Sequence, residues 1–267
     1  MQNSVLAQRP IKRNVSFVSM KRVLLLCLIS MAGFTAFSQT KPAKSEAAAP
    51  KAPATPVAAP AKPVRAAKYE VLYGSKPLSK ADQKELNEFV ASCDASFGSR
   101  AEAVTFFAER AWEYVASAHL DTATYRFNLI SALDPNSVDA FWGLGVISFQ
   151  RGDNDLAIRL LNKGLELDST QSMMRVDYAI VKLSCFEKGQ DCGTLDEVES
   201  ELKHALAQDP KNANAWMKRC QVAYYKENYE LAWNYFHEAR MADILQLDLN
   251  FGSLLAAKMP DPKGIFK

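Results

Sequence analysis

A spacing of about 34 residues recurs along the second half of the chain and is the strongest constraint on its fold. Ala157 follows Ala123 at this interval, and Leu161 follows Phe127 at the same interval. Ala232 follows Ala157 by two such intervals and a further seven positions. In each unit, apolar residues at i, i+4 and i+7 form one stripe of an α-helix. The spacing therefore predicts repeated helical units that pack closely, with a seven-residue insertion between the second and the last unit.

The residues of each unit also resemble the tetratricopeptide repeat, whose pattern contains an aromatic residue, Leu-Gly, Tyr, Ala, a second aromatic residue, Ala and Pro. The matching residues are Phe107, Ala111, Tyr114, Ala123, Phe127 and Pro135 in the first unit, Phe141, Leu144, Gly145, Ala157, Leu161 and Gly164 in the second, Tyr178, Ala179, Leu202, Ala205 and Pro210 in the third, and Trp216, Ala223, Ala232, Phe236 and Ala239 in the fourth. The insertion falls in the third unit, around CFEKGQDCG. The resemblance implies an all-α, right-handed solenoid, in which helix pairs stack because one pair cannot bury its own apolar face.

We place the repeats at residues 104–137, 138–171, 172–212 and 213–246, within a helical domain of residues 69–267. A solenoid needs a cap at each end. Both caps are predicted to be amphipathic helices, with the apolar residues Leu86, Phe89, Val90 and Cys93 at the amino end and Leu247, Phe251, Leu254 and Leu255 at the carboxyl end. Capping-box signals precede the first cap and the first repeat, at Ser79–Asp82 and Ser99–Glu102. The complete fold should contain about ten helices and no strand.

Residues 1–68 differ in kind from the rest of the chain. Residues 1–38 have the pattern of a secretory signal, with basic residues before the apolar run VLLLCLISMAGFTAF and small residues up to Ser38, after which cleavage is expected. Met20 is an alternative start, and an uncleaved membrane anchor is the alternative interpretation of the apolar run. Residues 39–68 form an Ala/Pro-rich linker with too few bulky apolar residues to fold. We therefore expect an exported protein, periplasmic or secreted, that is not inserted in the membrane after cleavage.

The charge of the helical domain argues against nucleic acid as a partner. Residues 1–68 contain 11 Lys and Arg and one Glu, whereas residues 69–267 contain 21 Lys and Arg against 29 Asp and Glu. Non-specific nucleic-acid binding requires Lys and Arg to neutralise phosphates, and an acidic domain lacks that excess.

The sequence shows no motif of a catalytic or metal site. His119, His204 and His237 are far apart in the repeat scheme, and no nucleotide-binding loop or nucleophile motif is present. We predict no catalytic residue, no cofactor and no metal, and we expect His237 to lie on the solvated outer side of its helix. The acidic run LDEVESELKH is explained by a solvated helix start, where acidic residues favour the helix dipole. An enzyme that uses unrecognised residues is the remaining alternative.

Four cysteines remain outside the signal, and they lack the paired spacing of a zinc site. Cys185 and Cys192 bracket the insertion, so they either form a disulfide across it or remain free. Cys93 and Cys220 are expected to be buried as small apolar groups.

The second edge of each first helix is unusually rich in aromatic and apolar residues. In tetratricopeptide-repeat proteins this edge lines a concave groove that binds an extended peptide or a partner helix. At matching positions the groove would present Trp112, Val115, Trp142, Val146, Phe149, Val176, Ile180, Leu183, Met217, Tyr224 and Tyr225. Exposed apolar patches of this kind mark partner sites. The alternative is that neighbouring first helices bury these residues against each other.

Fold and composition together predict a non-catalytic adaptor or scaffold of the cell envelope that binds a protein or peptide through the groove. The alternative function is a structural component of an envelope assembly that self-associates as a homo-oligomer. The repeat serves many partners, so the resemblance implies a mode of binding and no particular ligand.

Overall fold

The computed structural model describes residues 66–266, and within that range the chain forms α-helices, short 3-10 turns and no β-strand. The ten α-helices are α1 (Lys80–Ser96), α2 (Arg100–Ala116), α3 (Leu120–Leu133), α4 (Val138–Gln150), α5 (Asn154–Leu167), α6 (Ser172–Glu187), α7 (Leu195–Gln208), α8 (Ala213–Tyr225), α9 (Tyr229–Ala242) and α10 (Leu249–Lys258). Three 3-10 turns lie at Ala67–Tyr69, Val71–Ser75 and Ile244–Gln246. The predicted signal, its cleavage site and the linker up to residue 65 lie outside the described residues.

The repeats are the helix pairs α2–α3, α4–α5, α6–α7 and α8–α9, and each pair packs on the next. The second helices begin at Leu120, Asn154, Leu195 and Tyr229. The first and last of these steps have the length of the repeat, while the step from Asn154 to Leu195 is seven positions longer. The predicted insertion is thus present, and it lengthens α6 to 16 residues, against 13 in α4, and extends the loop that follows α6. The predicted all-α repeat architecture is confirmed.

Short polar side chains fix the points at which most helices begin. In each case the side-chain oxygen of a Ser, Thr, Asp or Asn accepts a hydrogen bond from a backbone N–H inside the first turn, which otherwise has no partner. The residues that cap helices in this way are Ser79, Ser99, Ser137, Asp153, Thr194, Asn212, Asn228 and Asp248. The predicted caps Ser79 and Ser99 are confirmed.

Small residues allow the two helices of a repeat to cross closely. Ala157 in α5 has no exposed surface, and neither have Ala123 and Ala232 at the matching positions. A Cβ atom on Gly145 in α4 would lie 2.8 Å from Cγ of Leu161 in α5, which is too close for a carbon contact. The stripe read from the sequence is therefore the contact line between the helices of each pair.

One helix covers each end of the solenoid, α1 at the amino end and α10 at the carboxyl end. Cys93 of α1 is buried against the first repeat, and its neighbours Phe89 and Val90 are half-buried. In α10, Phe251 and Leu255 are buried, but Leu254 is 57% exposed. The prediction that Leu254 faces inward is wrong, because α10 packs mainly on α9 and covers only one narrow face.

The carboxyl-terminal tail after α10 folds back on α9. Nε2 of His237 lies 2.9 Å from Oδ1 of Asp261, and both residues are buried. Nε1 of Trp233 donates to the carbonyl of Met259 at 2.8 Å, and the Phe266 ring stacks 6.0 Å from the His237 ring. The expectation of a solvated His237 is wrong, because the last repeat has no following repeat and the tail covers its outer side.

None of the helices in residues 66–266 is both long and apolar enough to cross a membrane.

We predict that Ala157→Leu destabilises the protein by about 1–3 kcal/mol, because the larger side chain overpacks the crossing of α4 and α5. Urea unfolding followed by circular dichroism measures the change. Ala91→Leu is the matched control, since Ala91 lies exposed in the interior of α1. Equal unfolding of the two variants would contradict the close crossing.

We predict that acid weakens the docking of the tail through Asp261. Burial alone would raise the pKa of this carboxyl, but the N–H groups of Phe266, Lys263 and Ile265 and the His237 ring outweigh burial and lower the pKa to about 2. Because its pKa is lowered in the folded chain, the ionised Asp261 stabilises the fold at any pH above the pKa of the same group in the unfolded chain, about 4. This stabilisation of about 2 kcal/mol is lost as the pH falls from about 4 to about 2.

Asp261→Asn isolates this contribution from those of other carboxyl groups. The free energy of unfolding of the wild type should exceed that of Asp261→Asn at neutral pH, and the difference should shrink below about pH 4. Intrinsic tryptophan fluorescence, to which Trp233 contributes from its contact with the tail, reports the transition. A difference that stays constant with pH would contradict the role of the ionised carboxylate.

Candidate functional site

Most of the residues that were predicted to line a concave groove are core residues. The buried members, none more than 9% exposed, are Trp112, Val115, Trp142, Val146, Val176, Ile180, Leu183 and Met217. The prediction that these side chains line an open groove is wrong. Phe149, Tyr224 and Tyr225 are half-buried and retain accessible surface.

The physical reason is that neighbouring first helices pack side by side. The Trp112 ring in α2 lies 5.0 Å from the Trp142 ring in α4, in an edge-to-face arrangement. Nε1 of Trp142 donates to Oδ2 of Asp177 in α6 at 2.7 Å. These contacts join the first three repeats through one buried line of side chains, so the aromatic positions of the sequence serve the stacking of the repeats.

Four accessible aromatic residues lie at the carboxyl ends of the first helices α4, α6 and α8. Phe149 lies in the last turn of α4, Tyr224 and Tyr225 end α8, and Phe186 stands at the end of α6, where it is 41% exposed. We call these four residues the aromatic edge. The sequence did not indicate Phe186, because the insertion lengthens α6 and the corresponding positions in α4–α5 and α8–α9 fall in loops.

Ring contacts connect the aromatic edge across the last two repeats. The Phe186 and Tyr225 rings are 5.5 Å apart, and the Tyr225 and Tyr224 rings are 5.7 Å apart. Tyr224 also contacts Phe251 of α10 at 5.2 Å. On the other side, Nζ of Lys188 lies 6.0 Å from the centre of the Phe149 ring. The edge thus runs from α4 to the carboxyl-terminal cap.

Charged and hydrogen-bonding groups accompany these rings. The Tyr225 hydroxyl donates to Oε1 of Glu187 at 2.8 Å, and burial together with this carboxylate raises the pKa of Tyr225 above its usual range, so the hydroxyl stays protonated. Burial lowers the pKa of Lys218, while Glu187 and Asp248 oppose that change. Nζ of Lys218 donates to Oε1 of Gln221 at 2.9 Å. Apolar rings and hydrogen-bonding groups of both charges therefore lie next to one another at this edge.

The insertion holds the exposed end of α6 in place. Cys185 and Cys192 are joined by a disulfide, with their Cα atoms 5.8 Å apart, so the pairing that the spacing left open is present. The Gln190 side chain in this loop accepts a hydrogen bond from Nδ2 of Asn154 in α5 at 2.8 Å. Phe186 is therefore presented by a backbone that is tied both to α6 and to the previous repeat.

The free cysteines, His119, His204 and the acidic run are buried in the core, exposed to solvent or engaged in ion pairs. Cys93 and Cys220 are free and buried, as predicted. His119 is exposed just before α3, and His204 is exposed in α7. No group of three His, Cys, Asp or Glu residues in the described part of the chain could hold a metal ion. In the acidic run, the carboxylate of Glu199 contacts Nζ of Lys226 at 2.6 Å.

Comparison with known proteins identifies the fold only. No family model matches the sequence, and a search of curated proteins finds no match. Among solved structures, PilF of Pseudomonas aeruginosa is 19% identical with a TM-score of 0.50, and the match covers 60% of this chain and 67% of that chain. MamA from Desulfovibrio magneticus RS-1 is 14% identical with a TM-score of 0.49, over 60% of this chain and 87% of that one.

A third similar structure is YrrB, described as a tetratricopeptide-repeat protein with an unusual peptide-binding site. It is 21% identical with a TM-score of 0.45, over 65% of this chain and 86% of that one. At these identities the likeness concerns the fold, a solenoid of stacked helix pairs.

We predict a large loss of stability for one aromatic truncation and a small loss for another. Trp142→Ala should lower the free energy of unfolding by about 3–5 kcal/mol, because it leaves a cavity between the first helices and removes the indole N–H that Asp177 accepts. Phe186→Ala should lower it by about 1 kcal/mol or less, since 41% of this residue is already exposed. Urea unfolding measures both, and a Trp142→Ala variant as stable as Phe186→Ala would place Trp142 in an open groove.

Proposed function

We propose that this tetratricopeptide-repeat solenoid is a non-catalytic adaptor or scaffold of the cell envelope that binds a protein partner at the aromatic edge. The supporting observation is that Phe186 is 41% exposed while its ring contacts Tyr225 and its neighbour Cys185 is bonded to Cys192. An exposed aromatic side chain on a fixed backbone loses little conformational freedom when it binds. The buried part of the predicted groove has no place in this proposal.

The groups around Phe186 indicate the chemistry of the partner. Glu187 and Lys188 follow it directly, and the Tyr225 hydroxyl lies against Glu187. A surface with an apolar centre and a polar rim is typical of protein interfaces. The partner that fits it presents an apolar anchor side chain with polar groups of both charges around it.

The location in the envelope is a proposal that rests on two observations. Residues 1–38 have the pattern of a secretory signal. Disulfides such as Cys185–Cys192 persist in oxidising compartments, which agrees with export. The Ala/Pro-rich residues that follow the signal would then act as a spacer on the amino-terminal side of the solenoid.

Self-association is the second candidate function, and one observation favours it. The stretch from the last turn of α9 to the start of α10 exposes Met241, Ile244, Leu245 and Leu249, each more than 60% accessible. Apolar residues exposed together commonly mark an interface. In this alternative the carboxyl-terminal end of one copy would bind another copy, and Leu245→Asp would lower the mass of the assembly in solution.

We predict that a partner captured from the native cell envelope by the wild type is lost with Phe186→Ala. The loss should be about tenfold or more, because exposed aromatic anchors contribute most of the binding energy at such sites. Phe106→Ala is the matched control, since Phe106 is also 41% exposed but lies in α2 against Phe97. Pull-down with quantitative mass spectrometry provides the measurement.

The control decides how the result is interpreted. A protein retained by the wild type and by Phe106→Ala, and lost with Phe186→Ala, would support the aromatic edge. Equal retention by all three proteins would remove the edge as a binding site. Recovery of the bait alone would favour the self-association alternative.

A further inference from the structure

A short segment at the amino end of the described range crosses the outer side of α3. We call this segment, residues 66–75, the strap. Asn128 of α3 has no exposed surface beneath it. Its Oδ1 accepts from the N–H of Leu72 at 2.9 Å, and its Nδ2 donates to the carbonyls of Glu70 at 2.8 Å and Lys68 at 3.1 Å. One buried side-chain amide therefore holds three backbone groups of the strap.

The burial of Asn128 is due to the strap and not to the repeat. Asn162 occupies the same position one repeat later, in α5. It is exposed, and its Nδ2 donates to Oε1 of Glu166 in its own helix at 2.8 Å. The same residue type at the same register thus has a binding role only where the strap lies across it.

Two further contacts fix the strap, one of them to its backbone. Nη1 of Arg151, at the end of α4, donates to the carbonyl of Tyr69 at 3.3 Å. Nζ of Lys68 lies 5.7 Å from the Tyr69 ring and 5.6 Å from the Tyr125 ring of α3. The outer side of α3 is therefore a site for a peptide segment that is recognised largely by its main chain.

The strap reaches its own α3 only through an unfavourable turn. Leu72, Tyr73, Gly74 and Ser75 have φ angles of 47°, 57°, 69° and 54°, so four consecutive residues are left-handed. Three of them carry a Cβ atom, which disfavours this conformation. The turn belongs to the connection before α1 and contributes none of the hydrogen bonds to Asn128 except the one from Leu72.

We propose that the strap is exchangeable, and that in a dimer the strap of each copy binds α3 of the other copy. Exchange retains the contacts of Asn128 and Arg151, because the same groups meet whichever copy supplies the strap. It allows residues 72–75 to extend, so the left-handed turn is needed only in the closed monomer. Strain in a short hinge is a general cause of such exchange between identical chains.

Cross-linking between two variants of the full chain tests the exchange directly. One copy carries Tyr69→Cys and the other Tyr125→Cys, at positions whose rings are 6.3 Å apart. Both copies also carry Cys27→Ser, so that this cysteine does not react. The copies are mixed, concentrated and treated with a short bis-maleimide. We expect a cross-linked dimer on a denaturing gel, since exchange places the introduced thiol on the strap of one copy beside the introduced thiol on α3 of the other.

Light scattering at several concentrations measures the dimer in wild type and variants. Asn128→Ala should leave the dimer dissociation constant about unchanged, because the closed monomers and the dimer lose the same backbone contacts, but it should speed the exchange of straps, while Asn162→Ala changes neither. Ser75→Gly should raise the dimer dissociation constant about tenfold, because glycine relieves the turn in both closed monomers and the exposed Ser75 side chain makes no contact with α3 that would be lost. Leu245→Asp should have no effect.

Ser75→Gly keeps the test decisive even if Asn128→Ala fails to fold. The proposal is overturned if the wild type stays a monomer at every concentration, or if no cross-link forms between the two copies. It is also overturned if the dimer is as strong in Ser75→Gly as in wild type, or is lost in Leu245→Asp. Retention of a captured partner depends on Phe186 and separates this result from that of the proposed function.

Discussion

The packing of each helix pair on the next is the interaction on which the rest of this structure depends. A pair of helices as short as α4 and α5 is too small to enclose an apolar core, so the side chains that face the next repeat must be large and well buried. Trp142 shows this clearly, with a 1% exposed ring between Trp112 and Asp177 of the two adjacent first helices. The aromatic residues on the inner edge are therefore buried for stability, and only those that remain exposed are available for binding.

The same dependence explains the two ends. A terminal repeat lacks one neighbour. Besides the cap helices α1 and α10, a short segment without an α-helix packs on each terminal repeat. At the carboxyl end the tail is held by the buried His237–Asp261 pair, and near the amino end the strap is held by Asn128. A few buried polar contacts fix each segment. The docking of the tail is therefore sensitive to pH, and for the strap we propose exchange between copies.

The candidate site arises where the regular repeat is interrupted. The seven extra residues of the third repeat extend α6, and the disulfide closes the loop behind it. As a result Phe186 projects beyond the line of the other first helices and contacts Tyr225. A departure from the repeat is thus what exposes an aromatic side chain at the proposed binding site, while the regular positions are used by the core.

Local pattern in the sequence determined the helices, their caps, the register of the repeat and the place of the insertion, because helix periodicity and capping depend on residues a few positions apart. It also indicated the pair Cys185–Cys192. Only the tertiary structure decided which faces are covered: Trp142 and His237 are buried, Leu254 and Phe186 are exposed. Coverage depends on segments distant in sequence, which no local pattern encodes.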